Sequence, residues 1–412
     1  MSTAAGFSPA ATCLACRCRC SSRSSRTATK PPITIICTMH MPTRTEPLRQ
    51  QPTRIGFERL AGSLALLLCC AAAVDAKQDA ADEHSAPIVI AHRGASGYLP
   101  EHTLPAAALA HGLGADYIEQ DVVLSRDGAP VVLHDVTLET VTDVEATFSD
   151  RCRDDGRFYA VDFTLDELRT LHVHERTGGD GRAAFPHRFP AAGAQLRIAT
   201  LEEHLALIRG LNTSTGRDVG VYVEIKRPAW HRHQGVDPSP VVLETLARHG
   251  YTQASDRAFV QCFDPAETRR LREQLDCQLQ LVQLIGSVSE RVAGDDSPTM
   301  CSAEGLATIA EFAEGIGPAM QLAYGPLDGS APPAPTGLIA AAHAAGLVVH
   351  PYTFRADALP PAYANRGYGA LVRDFAAAGI DGGFTDFVDA TRSALHARPV
   401  AAPAAGASAV MP

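Results

Sequence analysis

The chain has 412 residues, a length that allows one large domain or a few ordinary ones. With 46% hydrophobic and 20% charged residues, it has the composition of a globular protein with a sizeable core. The formal net charge is −10, and the first 76 residues hold nine of the 36 Lys and Arg but only three of the 46 Asp and Glu. The rest of the chain is therefore strongly acidic. Such a surface repels nucleic acid and anionic lipid, so the expected partner is a small molecule and not nucleic acid.

The first 76 residues are predicted to be a disordered leader with a signal peptide. Residues 1–54 are rich in Ser, Thr, Arg and Pro without a sustained apolar period, which indicates disorder. Arg59 then precedes a short apolar run at 60–74 and the polar break Asp75-Ala76, a pattern typical of a cleavable signal peptide. The run is too short for a comfortable membrane span. We therefore expect a periplasmic or secreted protein without a membrane span.

Cysteines in and after the leader leave two alternatives open. Cys69 or Cys70 could carry a lipid anchor, although neither follows a small residue. Beyond the leader, export permits disulfides, and a Cys277–Cys301 bond is one option. Cys262 is instead predicted to be a buried thiol within a strand.

Apolar segments alternate with helical segments from residue 88 onward, which predicts a parallel α/β sheet. The predicted strands are 88–93, 117–124, 131–134, 219–226, 258–263, 279–285, 315–318, 348–354 and 382–387. The predicted helices between them are 103–113, 240–249, 265–274, 304–314, 336–345 and 370–378.

The connection at 125–130 is too short for a parallel crossover, which needs about a dozen residues. Asp127-Gly128 at its centre predicts a hairpin, which would bring Asp121 roughly opposite His134. Counting the return strand as an appendage leaves eight strands. The sequence therefore predicts a (β/α)8 TIM barrel with its site at the carboxyl ends of the strands.

Residues 136–200 interrupt the alternation and are rich in Arg, Asp, Gly and Pro. We interpret them as a lobe inserted after the hairpin, covering one edge of the barrel mouth. One helix is predicted within it at 165–171, where Thr164 and Glu167 have the spacing of a capping box. The domain plan is thus a linker at 77–87, a barrel domain at 88–398 and a disordered Ala- and Pro-rich tail at 399–412.

Two clusters of polar residues lie on predicted strands. His92 and Arg93 close the first strand, where barrel enzymes place catalytic groups, although the pair alone also fits a satisfied histidine and a salt-bridged arginine. Glu119 and Asp121 are two residues apart and share one face of an otherwise apolar strand. Buried without partners, each carboxylate would cost several kcal/mol. A cation between them removes that cost, and pairing with arginine at the rim is the alternative.

Further along the chain, His134 falls beside Asp121, and Glu224 and Lys226 share a face of another apolar strand. Glu224 and Lys226 by themselves could form an internal ion pair. Glu119, Asp121 and Glu224 together offer hard oxygen ligands without a thiolate, which favours Ca²⁺ or Mg²⁺ over zinc. We expect the three carboxylates to crowd together and the pKa of at least one to be raised. Both histidines then remain free for proton transfer.

The stretch Ile90-Ala-His-Arg-Gly-Ala-Ser-Gly-Tyr-Leu-Pro-Glu-His-Thr103 resembles the opening motif of the glycerophosphodiester phosphodiesterases, above all of their periplasmic bacterial branch. The resemblance runs in order from about residue 88 to 396. The other segments that carry it are Glu119-Gln-Asp121, Val131-Val-Leu-His-Asp135, Asp162-Phe-Thr-Leu-Asp-Glu167, Glu224-Ile-Lys226, Val348-Val-His-Pro-Tyr-Thr353 and Phe384-Thr-Asp386.

This resemblance implies an enzyme that cleaves glycerophosphodiesters, such as glycerophosphocholine and glycerophosphoethanolamine, to sn-glycerol 3-phosphate and an alcohol. His92 and His134 would act as general acid and base. One divalent cation, Ca²⁺ in preference to Mg²⁺, would be held by Glu119, Asp121 and Glu224.

Arg93 would grip the phosphate, while Lys226 would either bind phosphate or neutralise Glu224. Glu101 is expected to fix the first loop. The alternative is a related barrel phosphodiesterase acting on lysophospholipid, sphingomyelin or phosphoinositide.

Overall fold

The computed structural model describes residues 86–190, 195–286 and 297–397. The predicted leader with its signal peptide, most of the linker and the predicted tail lie outside these residues. Within them, no helix has the length and apolar character needed to cross a membrane.

The described strands are β1 (Ile88–Ala91), β2 (Tyr117–Leu124), β3 (Pro130–Val132), β4 (Gly220–Ile225), β5 (Ala258–Cys262), β6 (Gln280–Ile285), β7 (Gly315–Pro318), β8 (Tyr324–Gly325), β9 (Ala334–Pro335), β10 (Val348–Val349) and β11 (Gly382–Thr385). The nine predicted strands appear in the predicted order, and two short strands that were not predicted, β8 and β9, lie between the seventh and the eighth of them.

The described helices lie between them. They are α1 (Leu104–Gly112), α2 (Val144–Thr147), α3 (Leu165–Leu168), α4 (Leu201–Thr215), α5 (Pro228–His233), α6 (Pro238–Arg248), α7 (Pro265–Glu273), α8 (Ser297–Met300), α9 (Ala303–Ala310), α10 (Met320–Ala323), α11 (Leu338–Ala344), α12 (Tyr368–Ala377) and α13 (Val388–His396).

Eight strands form a parallel sheet in the order β10-β7-β6-β5-β4-β2-β1-β11. Backbone hydrogen bonds bridge its two ends: Asp381 N donates to Val349 O over 3.1 Å, and Phe384 N donates to Pro351 O over 3.0 Å. Phe354 N in turn donates to Phe384 O over 2.8 Å. The sheet therefore closes, and the predicted (β/α)8 barrel is confirmed.

β3 pairs antiparallel with β2, which confirms the hairpin. The predicted register was off by one residue. Leu133 N donates to Asp121 O over 2.9 Å, so Leu133 and not His134 lies opposite Asp121. The ladder ends there because the chain bends at the next residue. That bend carries His134 towards the barrel mouth.

Helix starts carry the expected caps. The side chains of Thr103, Thr164, Thr200, Asp237 and Asp264 each accept a hydrogen bond from an amide in the first helical turn. The helix predicted at 165–171 is shorter, ending at Leu168.

Six of the described helices, α2, α4, α5, α8, α10 and α13, were not predicted. α4 begins with a capping box of Thr200 and Glu203, followed at helical spacing by the buried Leu201, Leu205 and Ile208. The strand predicted at 348–354 is reduced to two residues, because Pro351 lacks an amide hydrogen and interrupts the ladder.

The core has three parts. A large apolar cluster fills the layer between the barrel wall and its helices. A separate cluster, which includes Leu138, Phe158 and Phe163, gives the inserted lobe its own core. The third fills the barrel interior with aromatic rings, among them Tyr117 and Tyr222. These two tyrosines precede Glu119 and Glu224 by two residues on the same strand face, so they form the floor beneath the carboxylates.

Cys152, Cys262 and Cys277 are free thiols. The Cys277–Cys301 bond considered from the sequence is therefore not formed. Cys277 is buried in the layer under the helices, whereas Cys301 lies at the edge of that layer. Cys262 is a buried thiol in β5, as predicted.

Candidate active site

One cavity of about 1010 Å³ lies at the carboxyl ends of the barrel strands. All seven residues singled out from the sequence line it: His92, Arg93, Glu119, Asp121, His134, Glu224 and Lys226. They come from the ends of β1, β2 and β4 and from the chain after β3. The fold thus brings together side chains that are far apart in sequence.

The three carboxylates form the base of this cavity. Asp121 and Glu224 are register partners on β2 and β4, and Glu119 lies two residues before Asp121 on the same strand face. One oxygen from each carboxylate lies within 4.8 Å of the others. All three residues are buried, with 1–5% of their surface exposed.

Crowding alters the protonation of these carboxyls. Burial, with the charges of Asp121 and Glu224, raises the pKa of Glu119 well above its usual value. Burial likewise raises the pKa of Glu224 to about 8, with a contribution from Asp121 and against the opposing charge of Lys226. Burial acts in the same direction on Asp121, but Lys226 and His102 outweigh it and hold the pKa of Asp121 well below its usual value. The expected rise in at least one pKa is confirmed.

The group is suited to a divalent cation. Its donors are carboxylate oxygens, the ligands that Ca²⁺ and Mg²⁺ prefer. Asp121 Oδ1 is buried and accepts no hydrogen bond from an N–H or hydroxyl group of any described residue. A buried carboxylate oxygen is costly to leave unpaired, and a cation bound among the three carboxylates would satisfy it.

His92 is held by a carboxylate that follows directly after the last barrel strand. Its Nδ1 lies 2.6 Å from Asp386 Oδ1, directly after β11, and its Nε2 lies 3.9 Å from Glu119 Oε2. Burial, reinforced by the charge of Arg93, lowers the pKa of His92 to about 4. The ring is therefore neutral at pH 7 with Nε2 turned towards the carboxylates.

His134 repeats the arrangement with the residue that follows it. Its Nδ1 lies 2.8 Å from Asp135 Oδ1. Burial, together with Arg93 and Lys226, lowers its pKa to about 3. In both histidines a carboxylate binds Nδ1, which leaves Nε2 free for chemistry.

The loop after β1 has an unusual backbone. Arg93 and His102 have φ values of 58° and 61°, in the left-handed region that residues with a Cβ rarely adopt. His102 N donates to Arg93 O over 3.0 Å, which ties these two positions together. Gly94, at φ 80°, packs so tightly that a Cβ there would lie 2.9 Å from the backbone carbon of Ala106. Strained positions of this kind cluster at functional sites.

Arg93 contacts the carboxylates of Glu101, Glu119 and Asp121. Its backbone amide donates to Glu119 Oε2 over 2.9 Å, and its Nη1 donates to both oxygens of Glu101 over 3.0 and 3.1 Å. Its Nε is 3.6 Å from Asp121 Oδ2. Glu101 thus fixes the first loop, as expected.

Lys226 forms an ion pair, with Nζ 2.7 Å from Glu224 Oε1. Burial alone would lower its pKa, but Glu224 and Asp121 outweigh burial and raise it. The lysine also lines the cavity.

Several residues of the site were not identified from the sequence. His102 Nε2 lies 2.8 Å from Asp121 Oδ2, and Gln261 Nε2 donates to Glu119 Oε1 over 2.9 Å. His102 and Asp386 lie inside motifs that were recognised, but nothing in those motifs indicates that His102 contacts Asp121 or that Asp386 contacts His92. Arg176 and Arg188 belong to the inserted lobe and carry no sequence signal.

The sequence profile of the glycerophosphoryl diester phosphodiesterase family matches residues 92–390. The chain belongs to this family. A glycerophosphodiester phosphodiesterase of Haemophilus influenzae is 38% identical over 323 residues, covering 73% of this chain and 88% of the relative. One from Treponema pallidum is 36% identical over 248 residues, covering 56% of this chain and 70% of the relative. The protein is accordingly an enzyme, a glycerophosphodiester phosphodiesterase.

Solved structures of low sequence identity share the fold of this phosphodiesterase. A structure from Silicibacter pomeroyi has a TM-score of 0.56 at 24% identity, covering 76% of this chain and 94% of the other. A phosphodiesterase of Oleispira antarctica, solved in complex with the product sn-glycerol-3-phosphate, has a TM-score of 0.53 at 20% identity and covers 76% and 98%.

Proposed function

We propose that this phosphodiesterase hydrolyses glycerophosphodiesters such as glycerophosphocholine and glycerophosphoethanolamine to sn-glycerol 3-phosphate and an alcohol. The observation that carries the proposal is the group of Glu119, Asp121 and Glu224 in one cavity with two carboxylate-bound histidines. The product bound to the Oleispira antarctica phosphodiesterase supports the same product here.

The cofactor in this proposal is one divalent cation held by Glu119, Asp121 and Glu224. Ca²⁺ fits better than Mg²⁺, because Mg²⁺ usually keeps several of its waters, whereas Ca²⁺ accepts many protein oxygens in flexible geometry. When bound, the cation supplies positive charge that polarises the phosphodiester and stabilises charge developing on its oxygens.

The chain's own residues bind the substrate and move the protons. Arg93 and Lys226 pair with phosphate oxygens, and Arg93 can present two donors at once. One of His92 and His134 takes a proton at Nε2 from the attacking water or glycerol hydroxyl. The other donates a proton from Nε2 to the departing alcohol oxygen. Both rings are neutral before substrate binds, and the bound anion favours the protonated form that the acid needs.

The direct test is an assay of the purified protein with glycerophosphocholine, in which released glycerol 3-phosphate is measured with and without EDTA. We expect release that stops with EDTA and returns with Ca²⁺. Lysophosphatidylcholine and sphingomyelin vesicles serve as comparison substrates. Turnover of the vesicles without turnover of glycerophosphocholine would contradict the proposal.

We further propose that the enzyme is exported and works in the periplasm or outside the cell. The support is the sequence alone: the basic Arg59, a short apolar run at 60–74 and the polar break Asp75-Ala76. Mass spectrometry of the native protein should find a start near Lys77. A native chain that retains residues 60–76 would contradict export by cleavage.

A further inference from the structure

Two arginines of the inserted lobe, Arg176 and Arg188, lie directly behind the candidate active site. Their side chains are only 19% and 5% exposed. Neither belongs to the residues that line the cavity. Both arginines instead contact carboxylates that bind the cavity residues. They can therefore affect catalysis without contacting the substrate.

Arg188 reaches His92 through Asp386. Its Nη2 donates to Asp386 Oδ2 over 2.6 Å, while the other oxygen, Oδ1, lies 2.6 Å from His92 Nδ1. Arg188 Nη1 also donates to Ser96 O over 3.3 Å, and the Ser96 hydroxyl donates to His92 O over 2.7 Å. The guanidinium is thus linked to both the ring and the backbone of His92.

Arg188 is itself anchored from the opposite side. Its Nε and Nη2 donate to the two oxygens of Asp357 over 2.8 and 3.1 Å. Its guanidinium carbon lies 3.7 Å from the ring centroid of Phe185. Arg355 Nε gives Asp386 Oδ2 a second donor at 3.0 Å. Asp386 is therefore held in one orientation, and Arg188 is the more deeply buried of its two arginines.

Arg176 makes the equivalent connection to the other side of the cavity. Its Nε and Nη2 donate to Glu101 over 2.9 and 2.6 Å, and Glu101 accepts from Arg93. Its Nη1 donates to Asp135 Oδ2 over 2.6 Å, while Asp135 Oδ1 binds His134 Nδ1. One guanidinium therefore supports both Arg93 and His134.

We propose that Arg176 and Arg188 are positioning residues, through which the inserted lobe fixes His92, His134 and Arg93 for catalysis. The inference rests on the proposed function, because it takes these three residues as the groups that act on the substrate. A carboxylate bound by an arginine at one oxygen and a histidine at the other cannot rotate freely, so the ring keeps its direction. Proton transfer depends steeply on such alignment, whereas binding of the ground state depends on it less.

The test measures glycerophosphocholine hydrolysis by the full chain at saturating Ca²⁺. We expect Arg188→Met and Arg176→Met each to lower kcat by about 10- to 100-fold, the usual effect of losing a partner that orients a functional ligand. KM of Arg188→Met should stay within about threefold of the wild-type value, whereas KM of Arg176→Met should also rise, because Arg93 pairs with the phosphate. Arg188→Lys keeps the charge but cannot reach Asp386, Asp357 and Ser96 together, so its kcat should fall between that of the wild type and that of Arg188→Met.

The matched control is Arg182→Met, which removes an arginine of the same lobe whose side chain is 88% exposed. Its kcat and KM should equal those of the wild type. Thermal unfolding and Ca²⁺ affinity are measured for every variant, so that a loss of fold or of metal is not taken for a loss of alignment.

A double-mutant cycle tests the route through Asp386. If Arg188 acts by holding this carboxylate, Arg188→Met should lower kcat much less in an Asp386→Asn background than in the wild type. Full additivity of the two effects would exclude that route. A purely structural contact of the lobe has no reason to depend on Asp386 in this way.

The outcomes separate the two levels of the proposal. A wild-type protein that hydrolyses no glycerophosphodiester refutes the proposed function, whatever the arginine variants do. An active wild type, with folded Arg188→Met and Arg176→Met variants of unchanged kcat, overturns the positioning role alone. If either methionine variant fails to fold, Arg188→Lys decides, and a folded lysine variant with wild-type kcat overturns the inference.

Discussion

Asp121 and Glu224 are direct partners in the parallel ladder between β2 and β4. Parallel partners present their side chains to the same side of a sheet, so the strand register itself forces these two carboxylates together. Glu119, which shares their face, completes the group. Lys226 Nζ, 2.7 Å from Glu224 Oε1, offsets part of the charge, and His102 Nε2 lies 2.8 Å from Asp121 Oδ2. The repulsion that remains is what a bound cation is expected to relieve.

Replacing Glu119 by glutamine should separate metal binding from folding. Glu119 has a strongly raised pKa, so a neutral amide resembles its state in the metal-free protein. We expect Glu119→Gln to unfold within about 1 kcal/mol of the wild type in EDTA, the size of one altered hydrogen bond. Ca²⁺ affinity should fall at least about tenfold, because a charged ligand is lost.

Thermal unfolding and calorimetric Ca²⁺ titration measure the two effects. Glu244→Gln is the control, since Glu244 lies on α6 with its side chain 73% exposed. Equal Ca²⁺ affinity in Glu119→Gln and the wild type would remove Glu119 from the site.

Calcium affinity should rise with pH up to about 8. Burial raises the pKa of Glu224 to about 8, so below that pH the metal-free site keeps a proton that Ca²⁺ must displace. Each displaced proton makes the affinity rise about tenfold per pH unit below the pKa of its group, so Glu224 contributes up to about pH 8, and Glu119, whose pKa is also raised, adds to the rise. A Ca²⁺ affinity that does not change across this range would contradict this linkage.

The same carboxyl predicts how metal-free stability depends on pH. The pKa of Glu224 is higher in the folded chain than in the unfolded chain. At a pH between these two pKa values, the folded chain keeps a proton that the unfolded chain has lost. The stabilisation is therefore present at low pH and is lost as the pH rises towards about 8. In EDTA, Tm should fall from about pH 7 upward, where His92 and His134 are mainly neutral in both the folded and the unfolded chain, and saturating Ca²⁺ should reduce that fall.

The two histidines should be needed for turnover and not for folding. His92→Ala and His134→Ala are each expected to lower kcat by about 10²- to 10⁴-fold, the range for a lost general acid or base. Steady-state kinetics with glycerophosphocholine and a far-UV spectrum check both points. His396→Ala, an exposed histidine in α13, is the control. Activity within threefold of the wild type would exclude that histidine from the mechanism.

Gly94 and Gly128 offer a matched pair for the strained loop. Both have φ 80°, but a Cβ on Gly94 would meet the backbone of Ala106 at 2.9 Å, whereas nothing lies within 4 Å of one on Gly128. Gly128→Ala should lower the free energy of unfolding by about 1–2 kcal/mol, the usual cost of a residue with a side chain in the left-handed region. Gly94→Ala should cost more and also reduce activity, because the loop carries His92. Urea unfolding of both variants measures the difference, and equal costs would contradict the packing argument.

Much of the barrel could be predicted because its signals are local. Runs such as Tyr117–Leu124 are apolar over the length of one strand, and Asp127-Gly128 marks a turn within a few residues. The spacing of Glu119 and Asp121 places both on one face whatever the rest of the chain does. Predictions for short segments were less accurate. The strand predicted at 348–354 is shortened by Pro351, and the predicted pairing of His134 is one residue away from the observed register.

The sequence by itself determined the class of fold and singled out the three carboxylates and the two histidines, since each depends on a period or motif within a few residues. Only the tertiary structure decided that Glu224 stands beside Asp121, that Asp386 binds His92, and that the lobe supplies Arg176 and Arg188. These contacts join distant parts of the chain, and a charged residue in a polar segment gives no local sign of its partner. Arg176 and Arg182 belong to the same arginine-rich stretch, yet the fold buries the first behind the active site and leaves the second in solvent.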